Sequence, residues 1–252
     1  MNNYEIFYQL HQQNKPLIVA NAWNVKSAQL LEKNGCKAIA TSSAAIANSL
    51  GYEDGENISF GELFFVVQRI AASINIPLSV DMETGYSNNI SEVISNIEKL
   101  VGIGVVGINI EDSWGKELTL VDLFSEKLSS IKNHLIKKNM QLFVNARTDS
   151  FLLNLPSALE ITLETIKRYE DAGADGIFVP FVTEKDAIKK ITAATALPVN
   201  VLCTPHLPSF ETLAEWGVRR ISMGSFLFNA HYNHLETLIK NMNAQQSFSP
   251  LF

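Results

Sequence analysis

The chain has 252 residues, 46% of them apolar, and a net charge of −6 from 20 Lys and Arg against 26 Asp and Glu, which fits one α/β barrel of ~250 residues with one sizeable core. The two signs are interspersed, so no basic patch offers itself to nucleic acid or an anionic membrane. No apolar run approaches the ~20 residues of a membrane span, residues 1–16 lack the make-up of a secretory signal, and two cysteines without metal spacing suit a reducing compartment, so the expected location is cytoplasmic.

Residues 4–13 carry a helical pattern suited to covering the bottom of a barrel. Short β-branched runs then recur: Leu17–Asn21, Ala38–Thr41, Leu78–Asp81, Val105–Glu111, Leu142–Ala146, Gly176–Pro180, Val199–Leu202 and Arg219–Met223. Each is followed by helical periodicity or a capped apolar segment, the signature of parallel strands with crossover helices. Ser59–Glu62 and Asn89–Glu92 have the form of capping boxes, with Thr183–Asp186 a weaker version. Gly35, Gly173 and Gly217 stand where helices end, and Pro77 and Pro198 at strand entrances. Eight β/α units in this length read as one (β/α)₈ TIM barrel over 1–252, with a cap helix in 1–14 and a C-terminal helix and tail in 225–252. Cys36 and Cys203 sit beside strands and read as small core residues.

Barrel sites lie where the strands exit. There the sequence places Asp81, Glu83, Glu111, Asp112, Asp149 and Arg147. So many charges at strand exits have no account in folding alone, because unpaired charge there is costly to desolvate. Carboxylates from neighbouring strands suit a hard cation such as Mg²⁺ or Mn²⁺, and an Arg beside them suits a carboxylate or phosphonate. Asp112 reads equally as structural, capping the helix after the fourth strand or pairing with Arg147, and as catalytic, while Asp149 reads as the residue orienting Arg147. Trp23 and Tyr86 are candidate pocket walls, while His206 reads as a surface residue.

The strings themselves carry a resemblance. Val80–Tyr86 (VDMETGY), Ile110–Asp112 (IED), Asn145–Asp149 (NARTD) and Ala172–Pro180 (AGADGIFVP) follow one another on successive strands. In that order they resemble the phosphoenolpyruvate mutase/isocitrate lyase superfamily, over roughly residues 15–230. The resemblance implies a metal site in which Asp81 is the direct ligand, with Glu83, Glu111 and Asp54 holding the metal's waters. It implies that Arg147 pairs with the substrate carboxylate, that Ser42, Ser43 and Ala44 contact the oxo acid, and that Asn200 supplies a polar strand-7 group. The implied enzyme is a Mg²⁺-dependent (or Mn²⁺-dependent) lyase that breaks a C–C or C–P bond of a small 2-oxo acid through a metal-stabilised pyruvate enolate.

The loop after the fourth strand departs from the better-known members. Ser113–Thr119 (SWGKELT) lacks the Lys-Lys/Arg-Cys-Gly-His segment of isocitrate and methylisocitrate lyases, which disfavours that activity. Lys116 answers to the Lys of the mutase and phosphonopyruvate hydrolase loop, but the Asn and Ser that should follow are missing. Lys116 is therefore a candidate acid, and equally an ordinary exposed lysine. Phosphonomutase or hydrolase chemistry and a non-catalytic binding barrel stand as alternatives. A Schiff-base aldolase would need a Lys inside a strand, and none of the eight has one. The expected partners are a small 2-oxo acid or related carboxylate and further copies of the chain.

Overall fold

A computed structural model describes all 252 residues. Its core is a closed ring of eight parallel strands: β1 (Leu17–Ala22), β2 (Ile39–Thr41), β3 (Leu78–Asp81), β4 (Gly107–Glu111), β7 (Phe143–Arg147), β8 (Gly176–Val179), β9 (Val199–Leu202) and β10 (Arg220–Ser222). Two-residue strands β5 (Ser113–Trp114) and β6 (Glu117–Leu118) form an antiparallel hairpin outside the ring, in the loop after β4. All eight expected barrel strands are present; the fourth begins at Gly107 rather than Val105.

Alternation along each strand divides the core in two. Val80, Ile108, Val144, Ile177, Val201 and Ile221 face outward and pack with the apolar faces of the surrounding helices. The inward residues are more polar: Ser79, Asn109, Asn145, Asn200 and Arg220 are all buried. Asn109 Oδ1 accepts from Asn145 Nδ2 at 2.9 Å and from Arg220 Nη2 at 3.3 Å. Since β4 and β10 lie on opposite sides of the ring, the second contact crosses the barrel. Beneath it the ring of Phe7, from helix α1 (Asn3–His11), plugs the bottom against Phe143, Val19 and Ala40. Gly107 makes room for that plug, since a Cβ there would lie 2.8 Å from the Phe7 ring.

The helix signals are realised unevenly. Ser59 forms a full capping box with Glu62 at the start of α4 (Phe60–Ala71). At α5 (Ile90–Gly102) Asn89 caps through Ser91 N, while Glu92 turns away to Ser87 Oγ. The expected Thr183 cap does not form: Glu184 occupies the cap of α8 (Lys185–Ala193) and makes no side-chain bond. Gly35, Gly173 and Gly217 take φ of 87°, 92° and 91° after their helices. Both cysteines are free and half-buried rather than fully in the core. The last helix, α10 (Phe226–Gln245), follows β10 and ends in a short 3₁₀ turn, Ser249–Leu251. No helix is long and apolar enough to cross a membrane.

Candidate active site

The strand exits open into a cavity of about 300 Å³. Ser42, Ser43, Ala44, Asp54, Asp81 and Arg147 all line it. Asp81 ends β3 and is held from the β2 side, where Ser43 Oγ donates to its Oδ2 at 2.9 Å. Its other oxygen, Oδ1, is buried and has no partner. Ser42 is occupied locally: its hydroxyl caps α3 (Ser43–Ser49) by accepting from Ala45 N.

The turn after β3 is left-handed at Glu83 (φ 48°), Gly85 (111°) and Tyr86 (61°). At Gly85 a Cβ would meet Val93 at 2.7 Å, so glycine is required both by φ and by space. Glu56 fastens this turn to the loop carrying Asp54: its Oε1 accepts from Thr84 N at 2.8 Å, Thr84 Oγ1 at 2.7 Å and Tyr86 N at 2.9 Å. Lys127, from helix α6 (Val121–Lys137), donates to Thr84 O on the same turn. Glu83 is buried beneath Asp81 and accepts from Tyr86 OH at 2.9 Å. Burial, followed by the charges of Asp81 and Asp54, pushes its carboxyl up to about 8. Asp54, exposed at the cavity edge, is raised too, by desolvation there and by the charge of Asp81.

Arg147, at the end of β7, is gripped from behind. Asp149 accepts from Nε at 2.6 Å and Nη2 at 3.0 Å, a bidentate pair. Glu111 Oε2 lies 2.6 Å from Nη1, an ion pair without hydrogen-bond alignment. Burial opposes the Arg147 charge, but Glu111, Asp149 and Asp81 outweigh it and hold the guanidinium charged. Burial likewise pushes Glu111 well up against the pull of Arg147. Asp112 neither caps a helix nor touches the Arg147 side chain. It accepts from Asp149 N at 3.1 Å and Tyr169 OH at 2.7 Å, and burial raises it to about 6. Asp112 thus braces the brace.

Six expected residues are absent from the cavity lining: Glu83 and Glu111, described above, and Asn200, Trp23, Tyr86 and Lys116. Asn200 is buried one layer down, its amide 3.2 Å from Ser222 Oγ. Trp23 packs edge-on against Phe228 of α10, and Tyr86 stands behind Glu83. Lys116 is exposed in the β5–β6 turn. The opposite wall holds residues that sequence reasoning missed: Phe178, Phe181, Leu202, Leu152 and Asn229. Their apolar character looked like core, and Asn229 gave no signal within a helix.

No three Asp, Glu, His or Cys side chains lie close enough to hold an ion among themselves. A divalent ion would therefore rest on few protein oxygens and on water, which is the habit of Mg²⁺. The open Oδ1 of Asp81, with Glu83, Glu111 and Asp54 nearby, fits such an ion.

Residues 7–243 match the family model described as phosphoenolpyruvate phosphomutase. The chain belongs to the phosphoenolpyruvate phosphomutase family. Within this family it is similar to an uncharacterized protein of Mycobacterium tuberculosis, 35% identical over 224 residues, covering 89% of this chain and 83% of that one. It is also similar to the 2-methylisocitrate lyase of Shewanella oneidensis, 30% identical over 236 residues, covering 87% and 79%. A crystal structure from Burkholderia cenocepacia, provisionally named a phosphonomutase, superposes with a TM-score of 0.89 at 33% identity, covering 94% of this chain and 99% of that one. Solved phosphoenolpyruvate mutase/isocitrate lyase superfamily members share the barrel.

Proposed function

We propose that this chain is a divalent-metal-dependent lyase that breaks a bond to C3 of a small 2-oxo acid. The observation that carries the reading is the pairing, in one cavity, of an open buried carboxylate oxygen on Asp81 with a braced, permanently charged Arg147. Folding requires neither, and each unpaired group costs stability where it stands.

Asp81 would hold Mg²⁺ (or Mn²⁺) directly, with Glu83, Glu111 and Asp54 engaging its waters. The ion supplies positive charge to an oxo acid that gains electron density as the bond to C3 breaks. Arg147 keeps two N–H groups beyond those spent on Asp149 and Glu111, enough to orient one substrate carboxylate. Ser43 and Ala44 line the floor beside Asp81, where the Ser43 N–H is directed at Asp81 Oδ2. The Asp112–Asp149–Arg147 chain fixes the guanidinium before substrate arrives, so little is spent on ordering it later. Lys116 is exposed in the hairpin turn, outside the cavity, and this reading assigns it no step.

The test uses calorimetry with Mg²⁺ alone, then turnover of a 2-oxo acid panel. Asp81→Asn should abolish Mg²⁺ binding and lower any turnover at least ~100-fold, the scale of losing a preorganised electrostatic partner. Unchanged Mg²⁺ binding in that variant would reject Asp81 as the ligand. Absence of Mg²⁺ binding in the wild type would favour the non-catalytic barrel.

A further inference from the structure

We propose that Arg220 is a positioning residue that acts by charge, a buried cation beneath the cavity floor that favours the anionic oxo acid and opposes the metal. This rests on the reading above that the cavity takes both.

The inward layers of the barrel fix its place. Ser222 on β10 lines the cavity, and Arg220, two residues earlier, turns the same way one pleat lower, ~7 Å along the strand. It lies level with Asn200 on β9 and Leu17 on β1. Its guanidinium crosses the barrel, where Nη2 donates to Asn109 Oδ1 at 3.3 Å. Asn109 itself lines the cavity and stands in register with Asp81 on β3. Below, the guanidinium carbon is 5.8 Å from the centre of the Phe7 ring, which closes the barrel. The charge is thus held between the plug and the floor, and reaches the cavity through Asn109 and through space.

Nothing in contact neutralises it. The ion pairs of the chain all use other residues, and no carboxylate pairs with Arg220. Its Nε and Nη1 have no partner, and Asp81 is the acid whose charge supports it. His11, stacked on Phe143 at the barrel bottom, gives no counter-charge: burial and then the Arg220 charge lower it to about 3, so it is neutral. Burial lowers the Arg220 guanidinium to about 10, which leaves it charged near neutral pH. An uncompensated buried cation is costly to fold around, and an apolar side chain would fill the same space without that cost.

The cavity gives the charge a use. Asp54, Asp81, Glu83, Glu111 and Asp149 stand at or behind the site, while Arg147 is the only cation in its lining. Glu111 and Asp149 already engage three nitrogens of Arg147. An oxo acid therefore enters against an excess of acid, and a cation under the floor offsets it. At an effective dielectric of ~20, a unit charge ~10 Å from another shifts its binding on the order of tenfold. Burial also keeps salt from screening the effect. The same charge repels Mg²⁺. Two ligands of opposite sign thus respond to Arg220 in opposite directions, which a purely structural residue would not produce.

The test is calorimetry on Arg220→Met and Arg220→Gln, first with Mg²⁺ alone and then with oxalate in saturating Mg²⁺. A pH of about 8.5 lies above the about 8 of Glu83 and below the about 10 of Arg220, which limits proton competition and keeps the wild-type cation. Met removes both the charge and the hydrogen bond, whereas Gln keeps a donor for Asn109 and lacks the charge. Both variants should bind Mg²⁺ roughly threefold or more tightly than wild type, and oxalate roughly threefold or more weakly. Any result in which the two affinities do not move apart overturns the inference while the metal reading stands. Wild-type behaviour of Arg220→Gln beside an altered Arg220→Met does so too, by making the hydrogen bond to Asn109 the operative contact. Failure of both variants to fold, read by urea unfolding, would show a structural need and overturn it as well. A wild type that fails to bind Mg²⁺, or oxalate with it, removes the reading above and the inference together.

Discussion

Glu83 sits under opposing demands. Its buried carboxyl is pushed to about 8, whereas engaging the waters of a metal would need it ionised. In the unfolded chain the same group titrates near ~4.3. The folded state therefore holds the proton more tightly, and the stability this brings is full below ~4.3 and is lost as pH rises through about 8. Asp54, Glu111 and Asp112 shift in the same direction, so only a comparison with a variant isolates Glu83. Glu83→Gln keeps an oxygen for Tyr86 OH and cannot ionise. Urea unfolding without metal should show wild type losing stability relative to this variant between pH 5 and 8, by no more than ~1.4 kcal/mol per pH unit. Added Mg²⁺ should flatten the wild-type decline and leave the variant's profile unchanged. Parallel profiles for the two proteins would mean Glu83 ionises normally.

At the level of elements, the turn after β3 depends on an acid far from it in the chain. Glu56 accepts three hydrogen bonds from Thr84 and Tyr86, and those bonds hold a turn containing three left-handed residues. Glu56→Ala should cost ~1.5–3 kcal/mol, the range for hydrogen bonds to a charged group, and should weaken Mg²⁺ binding measured by calorimetry. Glu56→Gln retains an acceptor and should recover most of both. Equal losses in the two variants would show that charge, not the turn's anchoring, matters. This clamp was invisible in the sequence because an acid in a loop follows no period. The barrel strands were legible for the opposite reason: β-branched runs between amphipathic helices have few other solutions. Asp81 and Arg147 were legible because they end such strands. Asn200 was misplaced because period two decides which residues turn inward but not how deep they lie, and it belongs to the buried layer with Asn109 and Arg220. Arg220 itself gave no signal. It is 1% exposed, with Nε and Nη1 unpartnered, and burial lowers it to about 10. The β5–β6 hairpin was too short to show any pattern.

For the whole molecule, α10 is the element least accounted for by one copy. It runs for 20 residues with only Phe228 buried. Tyr232, Leu235 and Ile239, spaced to share one face, are 43%, 43% and 49% exposed. Beyond them Phe248, Leu251 and Phe252 are exposed as well. Isolated apolar residues on a surface are ordinary, but a contiguous stripe on a helix ~30 Å long is suited to a partner. We expect that partner to be a second copy of the chain, since a symmetric pairing needs only ~800 Å² from each side. Sedimentation of the wild type should give dimers or larger species, and Leu235→Glu combined with Ile239→Glu should give monomers. The consequence reaches the cavity, because Phe226 and Asn229 at the start of the same helix line it. An α10 released from its partner would leave that wall less fixed. The monomeric variant should therefore bind Mg²⁺ at Asp81 as before, yet bind oxalate in the presence of Mg²⁺ severalfold more weakly. A wild type that sediments as a monomer would leave the helix to some other cover, and would place the whole cavity within one chain.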